Sequence, residues 1–316
     1  MAMPVQPINI GIDVAKQKLD LYRDDSGTHE ILQNTRKDIR RWLTTLPKHA
    51  ELAVEATGTY HVELVEMAYA KGFRVYVVDG YQLSHYRKGI GGRAKTDRTD
   101  ASLLARYLRS ERDELRAWAP PKGPYRQIQM LLTRRAKLVK ASVMLNQSLS
   151  GIKGLQAGLS ALKRQIDRLD QQIEKHLRAL MRESDLMTDV LRCQAIEGVG
   201  FLTATALVMA NLRGDFKDSD AFIAFLGLDV RVRDSGKQVG RRKLTKKGSS
   251  EIRRLLHNAA MAAKRSQTWS GYFDRYVARG LSKTQALVIL ARKLARVAFS
   301  LLKNQSEYRP EIAVPA

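Results

Sequence analysis

The chain of 316 residues contains one cysteine and six scattered histidines. A lone Cys193 excludes an intrachain disulfide framework and a cysteine-rich zinc site, and no two histidines have the spacing of metal ligands. No run of about 18 apolar residues occurs, so no membrane span is predicted. The first residues, "MAMPVQPINI", lack the basic and apolar segments of a secretion signal. These absences favour a cytoplasmic protein.

Acidic residues are few relative to basic ones. The sequence has 55 Lys+Arg and 32 Asp+Glu, a formal net charge of +23. Such an excess favours a polyanionic partner, nucleic acid before an anionic membrane. Residues 1–120 hold 19 basic and 16 acidic residues, whereas residues 121–316 hold 36 and 16. We therefore expect the second part to grip nucleic acid and the near-neutral first part to be free to concentrate acidic groups.

Alternating apolar residues predict strands in the first part. Ile8, Ile10 and Ile12 alternate with small or polar residues, which indicates a half-buried strand. Further strands are expected in "KQKLDLY", "SGTHEILQNT", "ELAVEATGTY" and "FRVYVVDG", and helices over "KDIRRWLTTL", "HVELVEMAYAKG" and from Asp97 to Ser110. This order predicts one mixed α/β sheet. The segment "APPKGP" at 119–124 marks the predicted end of this domain, 1–120.

The rest of the chain is predicted to be almost entirely α-helical, with a region at 121–192 and a domain at 193–316. In the region 121–192, apolar residues recur at spacings of four and three, as in a coiled coil about three heptads long. These residues are Leu155, Leu159, Leu162, Ile166, Leu169 and Ile173. The three glycines of "LSGIKGLQAG" predict a turn before them. A helical hairpin within one chain and a seam shared between chains both fit.

Two features of residues 193–316 suggest contact with phosphates. Gly198 and Gly200 separate two apolar helices, as in a helix-hairpin-helix whose backbone N–H groups reach a phosphate, although a tight interhelical turn fits too. Residues 231–254, which we call the basic segment, hold ten Lys/Arg and are predicted to form a loop or ribbon. Its predicted nucleic-acid contacts are Arg231, Arg233, Gly236, Lys237, Arg241, Arg242, Lys243, Lys246 and Lys247.

Four carboxylates are candidates for a catalytic centre. Asp97 and Asp100, in "AKTDRTDASLLARYL", share a face at a helix start, where a cap explains only one of them. Asp13 interrupts the first apolar strand and Glu55 ends the fourth. If those strands are neighbours, all four acids meet and repel unless a dication lies among them. Oxygen-only ligands select Mg²⁺ or Mn²⁺, and two such ions about 4 Å apart serve in-line phosphoryl transfer.

These residues carry a family resemblance. In this order, "GIDVAKQKLDLY", "VEATGTYHVELV" and "KTDRTDASLLARYL" resemble the RuvC-like, ribonuclease-H-fold domain of DEDD-type transposases of the insertion sequence 110 family. The segments "IEGVGFLTATALVMA", "FIAFLGL", "DSGKQVGRRKLTKKGSSEIRRLLHNAAMAA" and "ARKLARVAFSLL" look like that family's second domain. The resemblance implies a catalytic, metal-binding tetrad of Asp13, Glu55, Asp97 and Asp100. Asp229 stands where the family often has proline.

The same resemblance implies a mechanism that the residues alone would not single out, since Ser-Gly in a basic loop is usually a turn. It implies that Ser235 attacks DNA and forms a phosphoserine link, while neighbouring arginines and lysines stabilise phosphate charge. It implies a structured bridge RNA as guide. It also implies a homo-oligomer, either a dimer or a tetramer, in which the acidic site and the serine come from different protomers. The expected location is the cytoplasm of a bacterium or archaeon, in association with the nucleoid.

Three other classes of protein compete with a recombinase. A RuvC-like nuclease would use metal and water alone, with the helical part as a clamp. An ATPase of the sugar-kinase type would need a glycine-rich turn after the first aspartate, and Val14-Ala15-Lys16 does not provide one. A non-catalytic nucleic-acid-binding protein would leave Asp13 and Glu55 unexplained. The sequence therefore favours a metal-dependent DNA recombinase.

Overall fold

The computed structural model describes residues 7–91, 96–231, 234–235, 238–239 and 242–310. The chain divides into two compact units after Pro120. A further division near residue 192 stays a prediction. Across the described residues, none of the helices combines the length and the apolar character needed to span a bilayer.

A five-stranded mixed sheet forms the first unit, in the order β3-β2-β1-β4-β5. The first three strands are antiparallel, and β4 and β5 run parallel to β1. The strands are β1 (Ile8–Val14), β2 (Lys18–Arg23), β3 (His29–Gln33), β4 (Ala50–Glu55) and β5 (Arg74–Val78). The predicted mixed sheet is confirmed.

Helices cover both faces of this sheet. The four helices are α1 (Arg36–Thr45), α2 (Val62–Ala70), α3 (Gly80–Gly89) and α4 (Asp97–Glu111). Helices α1 and α2 pack in one core and α3 and α4 in another. The prediction that β1 is half-buried is wrong, because Ile10, Gly11 and Ile12 are all buried between the two layers.

The second unit is helical around one core. Its helices are α5 (Tyr125–Leu149), α6 (Gln156–Glu183), α7 (Met187–Gln194), α8 (Phe201–Leu212), α9 (Ser219–Phe225), α10 (Ser250–Ala263), α11 (Gln267–Ala278) and α12 (Lys283–Asn304). Helix α8 is buried over nearly its whole length, so it forms the centre of the core. Residues of α5 and α6, such as Ile128 and Leu177, belong to the same core.

Helices α5 and α6 form a hairpin across the turn at residues 150–155. Arg135 of α5 and Asp170 of α6 join its two arms through an ion pair of 2.8 Å. The heptad seam divides into two rows. One row, Leu159, Ile166 and Ile173, is partly buried. The other row stays open to solvent, with exposed fractions of 44% for Leu155, 42% for Leu162 and 48% for Leu169.

Candidate functional site

The acidic edge, which we define as Asp13, Glu55, Asp97 and Asp100, lies where two parallel strands end. Strands β1 and β4 are paired neighbours, with Ile12 opposite Val54, so Asp13 and Glu55 follow at the same end of the sheet. Helix α4 packs across β1 and β2 and carries the other two carboxylates in its first turn. Neighbouring strands and one helix thus bring together the four acids that the sequence singled out.

Gly11 fixes the position of α4 on the sheet. A Cβ atom at this residue would lie 1.9 Å from the carbonyl oxygen of Ala101 and 2.5 Å from the amide nitrogen of Ala105. Both atoms are helix backbone and cannot move aside alone. Only glycine therefore lets α4 approach β1 closely enough to place Asp97 and Asp100 near Asp13.

The Gly11→Ala variant is expected to lose about 3 kcal/mol of folding free energy or more, because the added methyl group forces helix and strand apart. Chemical denaturation measures this loss. Gly89→Ala is the matched control, since a Cβ there meets no atom within 4 Å. The folding free energy of the Gly89→Ala control should change by less than about 0.5 kcal/mol. A Gly11→Ala protein as stable as the wild type would contradict the contact between α4 and β1.

The pKa of Asp13 is raised by its surroundings. Burial, followed by the negative charges of Glu55, Asp100, Asp97 and Asp20, raises the pKa of Asp13 from 3.8 to about 6. Each of these carboxylates is close enough to destabilise ionised Asp13. Glu55 lies against the first residue of α3, where a Cβ on Gly80 would be 2.6 Å from its Oε1 atom.

Two basic side chains offset part of this negative charge. Lys18 Nζ donates to Asp97 Oδ2 at 2.8 Å and lies 3.1 Å from Asp20 Oδ2. Arg87 of α3 pairs with the buried Asp100. The hydrogen bond from Lys18 holds the pKa of Asp97 below its usual range. In this arrangement, no three His, Cys, Asp or Glu side chains of the described residues form a group that could hold a metal ion.

Sequence reasoning missed three of these side chains. Asp20 is buried between Leu19 and Leu21, and an acid within an apolar strand is the signal that identified Asp13. Lys18 and Arg87 gave no such signal. Surface cations are common in this sequence, and only the fold shows which of them face carboxylates.

Within the basic segment, the described residues up to Leu244 form short antiparallel pairs, which together with residues 245–247 we call the ribbon. The prediction of a loop or ribbon is wrong for residues 250–254, which begin helix α10. Strands β6 (Val230–Arg231) and β9 (Lys243–Leu244) pair near its base, and β7 (Asp234–Ser235) and β8 (Gln238–Val239) pair further out. The backbone of Ser235 lies opposite Gln238. Four predicted contact residues, Arg233, Gly236, Lys237 and Arg241, lie outside the described residues.

Two glycines close the base of the ribbon. A Cβ on Gly227, whose φ is +68°, would lie 2.5 Å from the amide nitrogen of Gly248. A Cβ on Gly248 would lie 2.3 Å from the carbonyl oxygen of Phe225. Arg253 Nη1 donates to the Gly248 carbonyl at 2.6 Å. This close packing fixes where the ribbon leaves the helical core.

Asp229, the departure from the family pattern, also acts at this base. Its carbonyl oxygen accepts a hydrogen bond from the Thr245 amide at 3.0 Å, and its carboxylate accepts one from the Thr245 hydroxyl. The aspartate therefore ties the two sides of the ribbon together.

The other predicted phosphate contacts differ in their surroundings. The exposed ones on the ribbon are Arg242, Lys243, Lys246 and Lys247, whereas Arg231 is partly buried. Gly198 has a φ of +86°, and a Cβ there would lie 2.5 Å from backbone atoms of Ala259 and Ala263 in α10. Its lack of a side chain thus serves helix packing. Gly200 precedes α8 and has open space around it.

A mixed sheet with carboxylates at the ends of neighbouring parallel strands is consistent with the ribonuclease-H-like class of nucleic-acid-processing enzymes. Comparison with known families extends this. Residues 10–155 match the DEDD transposase model of the IS110 family, and residues 191–274 match the model described as "Transposase IS116/IS110/IS902 family". The chain belongs to the IS110 family of transposases.

Relatives of nearly equal length carry related names. A "Probable family 20 transposase" of Pseudomonas aeruginosa is 27% identical to this chain, and the alignment covers 95% of this chain and 98% of the relative. A "Pilin gene-inverting protein" of Moraxella bovis is 24% identical, covering 96% and 98%. The "Transposase for insertion sequence element IS1111A" of Coxiella burnetii is 33% identical over 43% of this chain and 38% of its own.

Proposed function

We propose that this transposase cuts and rejoins DNA by metal-assisted attack of Ser235 on a phosphodiester, with a covalent protein–DNA intermediate. The observation that carries the proposal is the convergence of four carboxylates at one end of the sheet, in a chain whose second unit presents a basic ribbon around that serine. A relative named for inverting a gene supports rejoining as well as cutting, because inversion requires both.

The acidic edge fits Mg²⁺ or Mn²⁺ by the chemistry of its donors. Asp13, Glu55, Asp97 and Asp100 offer oxygen atoms, which these hard ions prefer. Burial and then the neighbouring carboxylates raise the pKa of Asp13, and a dication would relieve both effects on its ionised form. Such ions supply Lewis-acid stabilisation of charge on the phosphate. The side chains of Lys18 and Arg87 would have to turn away from Asp97 and Asp100 for all four acids to act as ligands.

The proposed step conserves bonds. The Ser235 hydroxyl loses its proton to a carboxylate of the acidic edge, and its oxygen forms a bond to phosphorus. The bond from phosphorus to a deoxyribose oxygen breaks, and that oxygen takes up a proton. Since one phosphodiester replaces another, a DNA hydroxyl can reverse the step on a new strand without ATP. Cations of the ribbon stabilise charge on the phosphate oxygens.

Strand cleavage is expected to require Mg²⁺ or Mn²⁺ and to stop in EDTA, because the proposed ligands are all oxygen donors. The assay uses the full chain with DNA that carries the ends and target of its element. Nucleic-acid binding, measured alongside, should persist in the chelator. Undiminished cleavage in EDTA would contradict the metal-dependent mechanism.

We propose that the ribbon is the main binding surface for duplex DNA. Its exposed side chains Arg242, Lys243, Lys246 and Lys247 belong to a unit with 36 basic and 16 acidic residues. Cations that neutralise phosphates release condensed counterions, so binding by this surface weakens steeply as salt is added.

Alanine at Lys243, Lys246 and Lys247 together should make the binding less sensitive to salt. The slope of log K against log salt should become shallower by roughly 0.9 for each phosphate that the variant no longer neutralises. The matched control replaces three exposed lysines of the first unit, namely Lys37, Lys48 and Lys71. Equal changes in slope for the two variants would contradict the assignment of the grip to the ribbon.

A structured RNA made by the element is proposed as the guide to donor and target DNA. Support comes from the family, whose members the sequence resembles over both matched regions, and from the net charge of +23, which suits an RNA as well as DNA. Removal of RNA from the purified complex tests this guide. We expect target choice to disappear and to return when the RNA is restored.

We propose that the exposed row Leu155, Leu162 and Leu169 packs against a second copy of the chain. These leucines lie seven residues apart at the N-cap of α6 and along the helix, as in one half of a coiled-coil seam. Val143 of α5 and Ile152 of the turn between α5 and α6 add exposed apolar surface to the same hairpin. Sedimentation of the full chain at micromolar concentration tests this proposal, and a strictly monomeric protein would contradict it.

A further inference from the structure

A cavity on the helical unit has no role in the chemistry proposed above. Its volume is about 910 Å³, within the range of roughly 300–1,000 Å³ typical of ligand sites. Residues of α11, α12 and the segment after α12 line it. The lining side chains that matter here are Trp269, Tyr272, Arg275, Lys293, Glu307 and Arg309.

A hydrogen-bonded carboxylate fixes one wall of this cavity. Glu197 Oε1 accepts a hydrogen bond from Thr268 at 2.7 Å. Its Oε2 accepts from Trp269 Nε1 at 3.1 Å and from the Tyr308 hydroxyl at 2.7 Å. The indole is thereby held in one orientation, and the segment after α12 is tied to α11. The wall is preorganised before a ligand arrives.

Aromatic rings and a cation alternate along α11. The ring centroids of Trp269 and Tyr272 are 6.1 Å apart, and those of Tyr272 and Tyr276 are 5.3 Å apart. The Arg275 guanidinium carbon lies 5.1 Å from the Tyr272 centroid. Burial, followed by a hydrogen bond with Tyr276, raises the pKa of Tyr272 to about 12, so its ring stays uncharged at neutral pH. Because Tyr272 is partly exposed and lines the cavity, its ring can stack a planar ligand.

The charges around this ring suit a phosphate. Arg275, Lys293 and Arg309 supply three cations to the lining, and Glu307 supplies one carboxylate. Aromatic stacking beside cations is how proteins bind unpaired bases whose phosphates run alongside. A duplex hides its base faces in the stack and offers only phosphates to such a site.

We infer that this cavity binds an unpaired nucleotide of a single-stranded nucleic acid, with the base on Tyr272 and the phosphate near Lys293 and Arg309. The inference rests on the nucleic-acid-binding part of the proposed function and names a second contact, separate from the ribbon. Single-stranded DNA and an unpaired loop of RNA share this chemistry.

Fluorescence anisotropy of the full chain with short labelled strands tests the inference. The probes are oligothymidylate, oligouridylate and a mixed-sequence duplex, all in EDTA so that no strand is cut. Tyr272→Ala and Lys293→Ala should each weaken binding of at least one single strand about 10-fold and change duplex binding less than about twofold. The more affected strand identifies DNA or RNA as the source.

Two control variants separate stacking from structural damage. Tyr272→Phe keeps the ring and should bind single strands like the wild type. Lys283→Ala removes an exposed lysine from the start of α12, outside the lining, and should also leave binding unchanged. Equal weakening by phenylalanine and alanine at residue 272, equal weakening on duplex, or no weakening on either strand would overturn the inference. Because only binding is measured, failure of the serine chemistry would not affect the result.

Discussion

Asp13→Asn is expected to lower DNA strand cleavage by roughly 10³-fold while nucleic-acid binding stays near that of the wild type. An amide cannot serve as an anionic ligand or accept a proton at the end of β1. Loss of several kcal/mol of charge stabilisation corresponds to this factor. Asp25→Asn is the matched control, because Asp25 lies in the same unit but pairs with Arg23 outside the acidic edge. Full recombination by Asp13→Asn would refute the assignment of the site.

The same variant should be more stable than the wild type at neutral pH. Asp13 titrates near 3.8 when unfolded and near 6 when folded, so the folded chain holds this proton more tightly. The stabilisation that this proton provides is full below about pH 4 and is lost as pH rises through 6. The shift corresponds to roughly 3 kcal/mol, which solvent screening at this partly exposed carboxyl reduces to about 1 kcal/mol.

Thermal or chemical unfolding in EDTA at two pH values measures this difference. Asparagine resembles the protonated acid and does not titrate. The gain in stability from Asp13→Asn should therefore appear at pH 7.5 and vanish near pH 4. A variant less stable than the wild type at neutral pH would contradict the raised pKa of Asp13.

Ser235→Ala should abolish both recombination and the covalent protein–DNA adduct, while DNA binding persists. The hydroxyl oxygen is the only atom removed, and no carboxylate is changed. If water were the nucleophile instead, the change would cost little, because a substitution away from the reacting atoms usually changes stability by no more than about 0.5 kcal/mol. The variant thus separates a serine recombinase from a metal-dependent nuclease, which substitutions in the acidic edge cannot do.

Denaturing gels with labelled DNA detect the adduct. Wild-type protein should give a protease-sensitive band that is missing from Ser235→Ala. Ser250→Ala is the control, since Ser250 is an exposed serine at the start of α10. An adduct that survives Ser235→Ala would move the nucleophile to another residue, and no adduct from wild-type protein under trapping conditions would favour the nuclease.

Mixing two inactive variants tests whether protomers share a site. Asp13→Asn protein retains the serine, and Ser235→Ala protein retains all four carboxylates. If the acids of one protomer act on the serine of another, co-assembly should restore part of the activity. Mixtures that stay as inactive as each variant alone would indicate that both groups act within one chain.

The sheet could be predicted from the sequence because strand residues alternate and their order along the chain limits the topology. Convergence of the acids depended on one condition, that the first and fourth strands are neighbours, and the structure meets it. Helix α3 was not predicted. It begins with Gly80 and buries only Leu83 among its ten residues, so it has no apolar stripe to reveal it.

The periodicity of apolar residues did not predict which side of the heptad seam is buried. The heptad pattern placed Leu162 and Ile166 in one seam, but their exposure differs because α5 covers only part of α6. For Gly198, a glycine between helices suits phosphate contact and close packing equally well in a sequence. The approach of α10 shows the packing role of Gly198, and its contact with a phosphate stays a prediction. Partners that lie on distant elements, such as Arg87 and Asp100, cannot be read from local patterns.

The pairing of Lys18 with Asp97 and of Arg87 with Asp100 has a practical consequence for kinetics. Because Lys18 and Arg87 already compensate two of the acids, we expect the acidic edge to stay assembled without an added ion. Protein and DNA can therefore be brought together in chelator, as a stalled complex at equilibrium. Addition of Mg²⁺ would then start every complex at the same moment, so that a single round of the reaction can be followed in time.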